Sequence, residues 1–599
     1  MTKPNMIVRS EEQYRDVIAK ALAAKLVSID SEGEAFDKKA GKTHAFDLAL
    51  DGIGVFGEGV RAYIPARFLD SQFQRVLNEC EVIFHNAKFD LTMIEKEGLD
   101  ISKLKFHDTM IMSWMLDENR RSFGLKNLAK TILKQKIDDV TEFKDVGDRP
   151  TREGLGLFAN EYDDRHEKWE TALGEYCIDD CKYTYRLFKL FEPQMKEQNL
   201  WKVYTELEIP TILVLRAMEN RGIMVDESYL KNLGENVEKK LIEIRADIWK
   251  DVGKEFDINS SQQLSKILFD EMKLVLPDEY KTDAGKWSTD VNSLKYLSEH
   301  ANCELAKKVL EFRMFSKLHG TYVVGLLERA KNGIIHGSFL QHGTVTGRLS
   351  SSNPNMQNFP RRADEYDIRK AFVARPGYTF VIADLSQIEF RLLAYFSKDP
   401  TLLAAYQADK DMHQATADAL GCTRNLAKTV NFGLAYGRTA YGMSHSMGMS
   451  ADEAQRFIDT YFEKFAKLKV FFNQALNFMK KNHYVNTICK RRRRFPEYLA
   501  AKRNGDKKGA AHCERQTVNA IIQGSAADLM KVQMRNVHEK LKPFDAHILV
   551  QIHDEIIVEV PEVHSELVKE IVKYEMENAM TLPGVPIKTE PEISPRWKK

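Results

Sequence analysis

Two groups of carboxylates lie far apart in the chain, and each is placed at the end of a predicted strand. Asp30 and Glu32 follow one short apolar run. Asp384 ends another, and Asp554 lies at the turn between two alternating apolar runs that predict a tight β-hairpin. Carboxylates at neighbouring strand ends can share divalent metals. The sequence therefore predicts two separate metal-dependent sites, each held by its own sheet.

The composition is that of a folded chain with several domains. Its 599 residues correspond to about four domains. Hydrophobic residues make up 43% and aromatic residues 10%, which excludes a disordered chain. No window approaches about 18 uninterrupted apolar residues, so we expect no membrane span. Basic residues number 88 and acidic residues 87, so nucleic-acid binding would have to be local.

The cysteines and the N-terminus predict the compartment. Seven cysteines occur without a CxxC pair, so neither a disulfide framework nor a zinc ribbon is expected. Charged residues occupy the N-terminus where a secretion signal would be apolar. We therefore expect a reducing, cytoplasmic location.

The secondary-structure pattern changes along the chain. Residues 1–195 alternate short β-branched runs with helical stretches, which predicts a mixed α/β domain. Residues 205–335 are charged and helical in pattern, which predicts antiparallel helices. Residues 405–480 are again mostly helix-forming.

In the first domain, polar pairs recur at spacings that fix their orientation. Asp30 and Glu32 are two apart on a strand, so their side chains share one face. Asn86 and Asp90 are four apart where a helix should begin, which places both on one helix face. Each of these acids taken alone would most often be a surface residue, and it is their order along the chain that favours a site.

Tyr176 and Asp180 repeat the spacing of four, although Asp179 beside Asp180 is an alternative ligand. Four acids on separate elements could hold two divalent metals for phosphodiester hydrolysis: Asp30, Glu32, Asp90 and Asp180. One metal would activate a water and the other would stabilise the leaving oxygen. Hard oxygen ligands favour magnesium or manganese.

Between the acids of the second group lie two helical stripes. The first has two cations followed by two aromatic residues at a strict spacing of four: Arg424, Lys428, Phe432 and Tyr436. Cations suit a triphosphate and aromatic faces suit a base or sugar. The second stripe carries hydrogen-bonding groups at the same spacing: Arg515, Asn519 and Gln523. The alternatives are an amphipathic helix with a mixed face and a solvated helix face.

The motifs resemble those of one known family. The order D-x-E, N-x-x-x-D and Y-x-x-x-D resembles the proofreading 3′–5′ exonucleases of the DnaQ-like class. DLSQIEFR (384–391), RNLAKTVNFGLAYG (424–437) and QIHDEIIVEV (551–560) resemble the three polymerase motifs of the A-family DNA polymerases, relatives of bacterial DNA polymerase I. The resemblance runs essentially from end to end, with the motifs in order.

This resemblance implies a fold and a domain plan. An α/β exonuclease domain of the DnaQ or RNase H-like type would precede a right-hand polymerase with palm, fingers and thumb, a multidomain α+β chain. The expected boundaries are 1–198 for the exonuclease domain, 199–224 for a segment leading into the palm, 225–335 for the thumb, 336–405 for the palm, 406–509 for the fingers and 510–599 for the palm again.

The resemblance also implies roles for single residues. In the exonuclease site the ligands would be the four acids named above, and Tyr176 would orient the attacking water. In the polymerase site Asp384, Asp554 and the Leu385 carbonyl would bind metal, with Glu555 beside them in a lesser role. Nucleotide-binding residues would be Gln387, Glu389, His413, Arg424, Lys428, Phe432 and Tyr436, with Lys428 also catalytic. Residues that contact DNA would be Arg348, Arg515, Asn519, Gln523 and His553.

Two of these roles predict specificity. Glu389 would lie under the sugar of the incoming nucleotide and exclude a 2′-hydroxyl. Phe432, where some relatives have Tyr, implies poor use of dideoxynucleotides. Leu385 departs from the family's usual Tyr, with little effect expected on the chemistry.

A basic run, Lys490 to Arg494, forms a local cluster with basic residues that follow it: Lys502, Arg503, Lys507 and Lys508. We favour phosphate contact with template or primer. A solvated charge run and a nuclear-targeting signal are the alternatives.

The implied reaction is template-directed DNA synthesis with 3′–5′ proofreading, in replication or repair. The implied cofactor is Mg²⁺, two ions per site, with Mn²⁺ as a substitute. The implied partners are primer–template DNA, dNTPs, a single-stranded 3′ end and accessory replication proteins, and we expect a monomer. The chain begins almost directly at the exonuclease strand, so we expect no 5′-nuclease domain, as in a phage or other mobile replicon; an engineered fragment would look similar.

Two other classes compete with this interpretation. The first is a nuclease whose second half only grips DNA, and the complete set of acids and cations in that half argues against it. The second is a single-subunit RNA polymerase, which Glu389 and an N-terminal exonuclease both disfavour.

Overall fold

The structure, a computed structural model, covers most of the chain in two parts. The residues it describes are 5–35, 47–135, 164–282, 284–362, 364–435 and 437–598. A sheet-based domain comes first and a larger mixed domain follows it. Within these residues, no helix is both long enough and apolar enough to cross a membrane.

The first domain is built on one six-stranded sheet, in agreement with the mixed α/β pattern. Its strands are β1 Met6–Ile7, β2 Leu26–Ala35, β3 Leu48–Gly57, β4 Val60–Pro65, β5 Glu81–Phe84 and β6 Lys105–Asp108. The order across the sheet is β1-β4-β3-β2-β5-β6, so β2 has β3 antiparallel on one side and β5 parallel on the other. Val27 and Ile29 of β2 are completely buried, which fixes this strand up to the point where its acids begin.

The helices of this domain are α1 Glu11–Ala24, α2 Ser71–Glu79, α3 Ala87–Lys96, α4 Thr109–Leu116, α5 Leu125–Leu128 and α6 Asp164–Glu197. The long helix α6 packs across β2, β3 and β4. A Cβ on Gly54 of β3 would lie 2.8 Å from the Cys177 Sγ and 2.9 Å from the Cys181 Sγ. Glycine at this position therefore allows α6 to approach the sheet closely and bring its polar residues to β2.

A helical connection leads into the second domain. It consists of α7 Trp201–Val203, the π-helical turn Tyr204–Glu208 and α8 Ile209–Arg221. The elements that follow are β7 Ile223–Val225, α9 Glu227–Val252, α10 Ser261–Ser265, α11 Val291–His300, α12 Glu304–Lys317, α13 Gly325–Arg329, β8 Ile334–Ile335, β9 Ser338–Leu340, β10 Ser350–Ser352 and β11 Phe372–Val373. Strands β11, β7 and β8 form a small sheet in that order. The helical pattern predicted for 205–335 is confirmed.

The rest of the chain forms a second large sheet and its helices. In order these elements are β12 Tyr378–Asp384, α14 Ile388–Ser397, α15 Pro400–Gln407, α16 Met412–Leu420, α17 Arg424–Ala435, α18 Ala440–Met447, α19 Ala451–Lys464, α20 Ala466–Asn482, β13 Tyr484–Asn486, β14 Arg492–Arg494, α21 Pro496–Arg503, α22 Lys507–Leu541, β15 His547–Ile552, β16 Glu555–Pro561, α23 Ser565–Glu577 and β17 Glu592–Ser594. The sheet order is β15-β16-β12-β17, all antiparallel. The predicted hairpin is therefore the pair β15 and β16.

Four charged side chains are buried together where the two domains meet. They are Glu208 of the π-helical turn, Arg491 before β14, and Asp528 and Lys531 of α22. The Arg491 Nε donates to the Asp528 Oδ1 at 2.9 Å, and Arg491 also pairs with Glu208. The Lys531 Nζ lies 2.8 Å from the Glu208 Oε1. Two positive and two negative charges cancel within the cluster, which makes the burial tolerable.

Trp114 covers this cluster from the first domain. Its ring centre lies 5.1 Å from the Arg491 guanidinium carbon and 5.2 Å from the Lys531 Nζ, within the range of cation–π attraction. The Trp114 Nε1 donates to the Thr344 carbonyl at 3.1 Å. Trp114 on α4 thus contacts the second domain through both its ring and its indole N–H.

The prediction that the basic run 490–494 contacts DNA phosphates is wrong for three of its arginines. Arg491 lies in the buried cluster. Arg493 and Arg494 face Glu118 of the first domain, at 3.6 and 2.7 Å between charged atoms. Arg491, Arg493 and Arg494 thus lie at the domain interface, where acids from distant parts of the chain pair with them. The later basic residues are exposed, and phosphate contact stays a prediction for them: Lys502, Arg503, Lys507 and Lys508.

Removing Glu208 should destabilise the protein strongly. We expect Glu208→Ala to lower the free energy of unfolding by about 3–5 kcal/mol, because Arg491 and Lys531 would stay buried without their counter-charge. Chemical denaturation measures this change. Glu206→Ala is the control, since its side chain is 63% exposed and its loss should cost less than about 0.5 kcal/mol. Equal effects of the two substitutions would contradict the assignment.

The shifted pKa of Glu208 predicts that the stability of the protein depends on pH. Burial alone would raise the pKa of Glu208, but Arg491 and Lys531 outweigh it and lower the pKa from 4.5 to about 2. Because the folded pKa is the lower one, the contribution of Glu208 is complete above 4.5 and is lost as the pH falls toward 2. The stability difference between wild type and Glu208→Gln should shrink over that range.

Candidate active sites

The first site is on β2. The strand spans Leu26–Ala35, so Asp30 and Glu32 lie within it and not after its end, where the apolar run in the sequence placed them. Asp30 and Glu32 share one face of the strand, as their spacing predicts. Between them Ser31 points the other way and binds Asp90 of α3. The Asp90 Oδ1 accepts from the Ser31 backbone N–H at 2.9 Å and from its hydroxyl at 2.7 Å. The strand thus provides two acids and also holds the third in place.

The start of α3 differs from the prediction. The helix begins at Ala87, and Asn86 precedes it with a positive φ of 73°. Asp108 anchors this turn, since its Oδ2 accepts from the Ala87 N–H at 2.8 Å. Asn86 is therefore outside the helix, while Asp90 lies in its first turn and remains at the site. The spacing of four placed the helix correctly to within one residue.

Helix α6 brings Tyr176 and Asp180 to the same place. Asp180 is buried, and the Tyr176 hydroxyl hydrogen-bonds to it. Asp179, in contrast, is half-exposed and its Oδ1 pairs with the Lys182 Nζ at 2.8 Å. Of the two neighbouring acids that the sequence left open, only Asp180 faces the other carboxylates.

These acids crowd one another. Burial first, and then the neighbouring carboxylates Glu32, Asp90 and Asp180, raise the pKa of Asp30 well above its usual value. Burial, followed by the charges of Asp180 and Asp90, raises the pKa of Glu32 to about 8. Burial also raises the pKa of Asp90 to about 7, against the hydrogen bonds from Ser31. Such a concentration of hard oxygen donors fits divalent cations, whose charge would relieve the repulsion.

The second site is at the adjoining ends of β12, β15 and β16. Asp384 lies directly opposite Glu555 across the strand pair. The Leu385 N–H donates to the Asp554 carbonyl at 3.0 Å, which joins the end of β12 to the hairpin turn. Two acids that are far apart in sequence therefore meet at one sheet end, as the sequence predicts.

Electrostatics distinguish the acids of this second site. Burial raises the pKa of Asp554 to about 6, with Arg348 opposing the shift and Glu389 and Asp384 adding to it. Burial also raises the pKa of Glu555, followed by the charge of Asp384. The Glu555 carboxylate is held away from solvent by Trp597, whose Nε1 donates to it at 3.2 Å.

Glu389 and Arg348 form an ion pair beside Asp554. Glu389 is buried in the first turn of α14, and Gln387 precedes this helix with a positive φ of 51°. The guanidinium of Arg348 reaches Glu389 from the loop before β10. His553, at the hairpin turn, is exposed and also has a positive φ of 53°.

Helix α17 carries the predicted stripe as far as the structure describes it. Arg424 and Lys428 are exposed at its start, and the Arg424 Nη2 pairs with the Asp411 Oδ2 at 2.8 Å. Further along, the ring of Phe432 lies 5.4 Å from that of His413. Tyr436 lies outside the described residues.

Hydrogen bonds and ring contacts join helix α17 to its neighbouring helices. The Asn431 amide lies 3.2 Å from the His413 Nδ1, and its carbonyl accepts from the Tyr461 hydroxyl at 3.0 Å. The Phe432 ring also meets that of Phe390 on α14, with centres 5.2 Å apart. Helix α17 is therefore packed against both α14 and α16, with its cations left at the surface.

Helix α22 presents the second stripe. Arg515 is exposed, and Asn519 and Gln523 are partly exposed, along its N-terminal half. A Cβ on Gly437 would lie 2.2 Å from the Arg515 carbonyl, so the segment after α17 comes very close to this helix. The two stripes predicted from the sequence are thus neighbours in the structure.

Comparisons with known proteins agree on both parts of the chain. Residues 227–599 match the model of DNA polymerase family A, and residues 5–196 match that of a 3′-5′ exonuclease. The chain belongs to the family A DNA polymerases. The resemblance inferred from the motifs is confirmed, and so is the expected fold, an exonuclease domain followed by a family A polymerase domain.

The relatives of this family A polymerase include bacterial enzymes called DNA polymerase I. The chain is 34% identical to that of Borreliella burgdorferi, over 98% of this chain and 64% of the relative. It is 37% identical to that of Chloroflexus aurantiacus over 86% and 54%. The chain thus spans between about half and two thirds of the length of these relatives. Among solved structures, the POL domain of Pol1 from M. smegmatis in complex with DNA primer-template and dNTP is similar at a TM-score of 0.85, with 26% identity and 99% of each chain covered.

Several residues of both sites were not found from the sequence. Ser31 lies between two predicted ligands, and its role needed the position of Asp90. Asn431 lies inside the predicted stripe but on another face of α17. Cys177 follows Tyr176 directly, yet a cysteine inside a helix is most often a small apolar residue. Trp597 could not be identified from the sequence, because only the folded sheet brings it to its hydrogen-bond partner Glu555.

Proposed function

We propose that this protein synthesises DNA on a template from dNTPs and removes nucleotides from a 3′ end at a second site. The observation that supports this most strongly is the presence of two separate carboxylate centres in a family A polymerase with an exonuclease domain, one on β2 and one where β12, β15 and β16 meet. The second centre lies near helix α17, whose cations Arg424 and Lys428 are exposed. A domain that only bound DNA would not require these carboxylates.

In the polymerase site, different residues hold different parts of the substrates. Asp384 and Asp554 hold the reacting groups at the end of a rigid sheet. Arg424 and Lys428 reach the triphosphate from α17, and Phe432 packs against its sugar. The contacts of Gln387, His413 and Tyr436 with the nucleotide, and of the Leu385 carbonyl with metal, remain part of this proposal.

Contacts with DNA come from the surface around this site. We propose that the primer–template lies along α22 and the hairpin turn, over these residues: Arg348, Arg515, Asn519, Gln523 and His553. Minor-groove acceptors occupy nearly the same place in every correct base pair. Hydrogen-bonding groups on one helix can therefore test pair geometry without reading sequence.

In the exonuclease site, Asp30, Glu32, Asp90 and Asp180 surround the scissile phosphate and Tyr176 orients the attacking water. Family A polymerases and their exonuclease domains depend on metals, and we propose Mg²⁺, with Mn²⁺ as a substitute. When bound, such ions activate the attacking oxygen and stabilise the leaving one. We further propose that the protein works in the cytoplasm as a monomer, with accessory replication proteins as optional partners.

Loss of Asp384 should abolish synthesis and spare the exonuclease. We expect Asp384→Ala to reduce primer extension by roughly 1,000-fold or more, since a metal-binding carboxylate is removed from the reacting centre. Extension of an end-labelled primer–template with dNTPs measures this. Asp409→Ala is the control, because Asp409 is 71% exposed and pairs with Lys588 at the surface. Normal extension by the Asp384 variant would refute the assignment.

The two neighbouring acids of α6 give a matched test of the exonuclease. Asp180→Ala should remove degradation of a labelled single-stranded oligonucleotide, because Asp180 faces Asp30 and Glu32. Asp179→Ala should keep it, since Asp179 only pairs with Lys182 at the surface. Both variants should extend primers normally. Undiminished degradation by Asp180→Ala would show that the first carboxylate centre is not the nuclease site.

Glu389 should determine discrimination against ribonucleotides. We expect Glu389→Ala to reduce the preference for dNTPs over rNTPs by roughly 100-fold or more, because the buried carboxylate no longer blocks a 2′-hydroxyl. Ratios of kcat/KM for the two nucleotide types measure this. Arg348→Ala breaks the same ion pair but keeps the carboxylate, so it should weaken synthesis and retain discrimination. The opposite pattern would assign the discrimination to Arg348.

A further inference from the structure

One ring nitrogen of His413 is already occupied in the free protein. The Asn431 Nδ2 lies 3.2 Å from the His413 Nδ1. Phe390 and Phe432 pack against the His413 ring, each with its ring centre 5.4 Å away, and His413 is only 3% exposed. Rotation of the ring would break these contacts. Nε2 is therefore the nitrogen that His413 can offer to a ligand.

Two neighbouring hydroxyls fix the direction of the hydrogen bond between Asn431 and His413. The Thr416 hydroxyl donates to the Met412 carbonyl at 2.8 Å, so its oxygen accepts from the Asn431 Nδ2, which lies 3.0 Å away. On the other side, the Tyr461 hydroxyl donates to the Asn431 Oδ1 at 3.0 Å. Asn431 therefore turns its NH₂ group toward His413 and donates both of its hydrogens. The His413 Nδ1 must accept, which requires that this nitrogen carries no proton.

The surroundings of His413 also favour its neutral form. Burial is the largest cause and lowers its pKa; the charge of Asp411 opposes this shift, and Arg424 and Lys428 add to it. Helices α14 and α19 contribute uncharged groups to this network, the Phe390 ring and a phenol hydroxyl. A neutral imidazole carries one proton, and with Nδ1 unprotonated that proton is on Nε2.

We propose that Asn431 is a positioning residue that keeps His413 neutral with its proton on Nε2, so that the ring donates a hydrogen bond to the triphosphate of the incoming dNTP without taking up a proton. The opposite tautomer would turn a lone pair toward the phosphate oxygens and could not donate to them. The contact made by His413 is therefore insensitive to pH near neutrality. This inference rests on the proposed function, because it uses His413 as a nucleotide-binding residue.

The tautomer of His413 can be measured in the full chain without any activity assay. In protein with ¹⁵N-labelled histidine rings, the two-bond ¹H–¹⁵N spectrum distinguishes protonated from unprotonated ring nitrogens, and comparison with His413→Gln assigns the signals of His413. We expect wild type at neutral pH to show an unprotonated Nδ1 and a protonated Nε2. The reverse pattern, or protons on both nitrogens, would overturn the proposal, whatever the stability of any variant.

Asn431→Asp tests the role in binding by reversing the hydrogen bond. A carboxylate accepts from Nδ1–H, so the neutral ring of His413 would have a bare Nε2 and only the doubly protonated ring could donate. Single-turnover primer extension gives the Kd for dNTP. We expect the ratio of the variant's Kd to that of wild type to be roughly tenfold at about pH 8 and to shrink toward about pH 6. Asn425→Asp is the matched control, because it adds the same charge at an exposed position of α17, and its ratio should stay near one.

A double variant separates this role from simple packing. His413→Gln should itself raise the Kd for dNTP, and Asn431→Asp should add little in that background, because Asn431 acts through His413. An equal effect of Asn431→Asp with and without His413 would overturn the proposal. If His413→Gln raises the Kd but Asn431→Asp does not, the nucleotide contact stands and only the role of Asn431 is wrong. If His413→Gln leaves the Kd unchanged, the nucleotide contact itself is wrong and the role of Asn431 fails with it.

Discussion

The charge-balanced cluster of Glu208, Arg491, Asp528 and Lys531 is the constraint on which the arrangement of the domains depends. Each of the four charged side chains would be costly to bury alone, but together they carry no net charge. Trp114 covers the cluster from the exonuclease domain. Helix α22 provides two members and also carries the stripe beside the polymerase site. The cluster therefore fixes both active sites relative to one another.

Both centres bury several carboxylates close together, but the charges around those carboxylates differ. In the exonuclease site, burial and three neighbouring acids all raise the pKa of Asp30. In the polymerase site, burial raises the pKa of Asp554, but Arg348 opposes the shift. The first centre therefore gains more from a bound cation than the second. In both, the acids are tolerated because strands with fully buried neighbours hold them and prevent them from moving apart.

The spacing of residues predicted how side chains are arranged within a single strand or helix. It could not predict contacts between elements that are far apart in the sequence. The shared face of Asp30 and Glu32 and the hairpin around Asp554 follow from local periodicity. The basic run 490–494 looks the same in sequence whether it faces a phosphate or Glu118. Only the fold shows that three of its arginines are used inside the protein. The hydrogen bonds of Ser31 to Asp90 were hidden for the same reason, since they join separate elements.

The ion pairs of the free protein have consequences for substrate binding. Arg348 pairs with Glu389, and Arg424 pairs with Asp411, so two cations proposed to meet DNA and triphosphate already have partners. Binding must exchange one anion for another, which costs little at the exposed Arg424 pair. The Arg348 pair is different, because Glu389 is buried and removal of Arg348 would take away its partner. Moving Arg348 from Glu389 to DNA therefore costs more than moving Arg424 from Asp411, because it leaves a buried carboxylate without its cation.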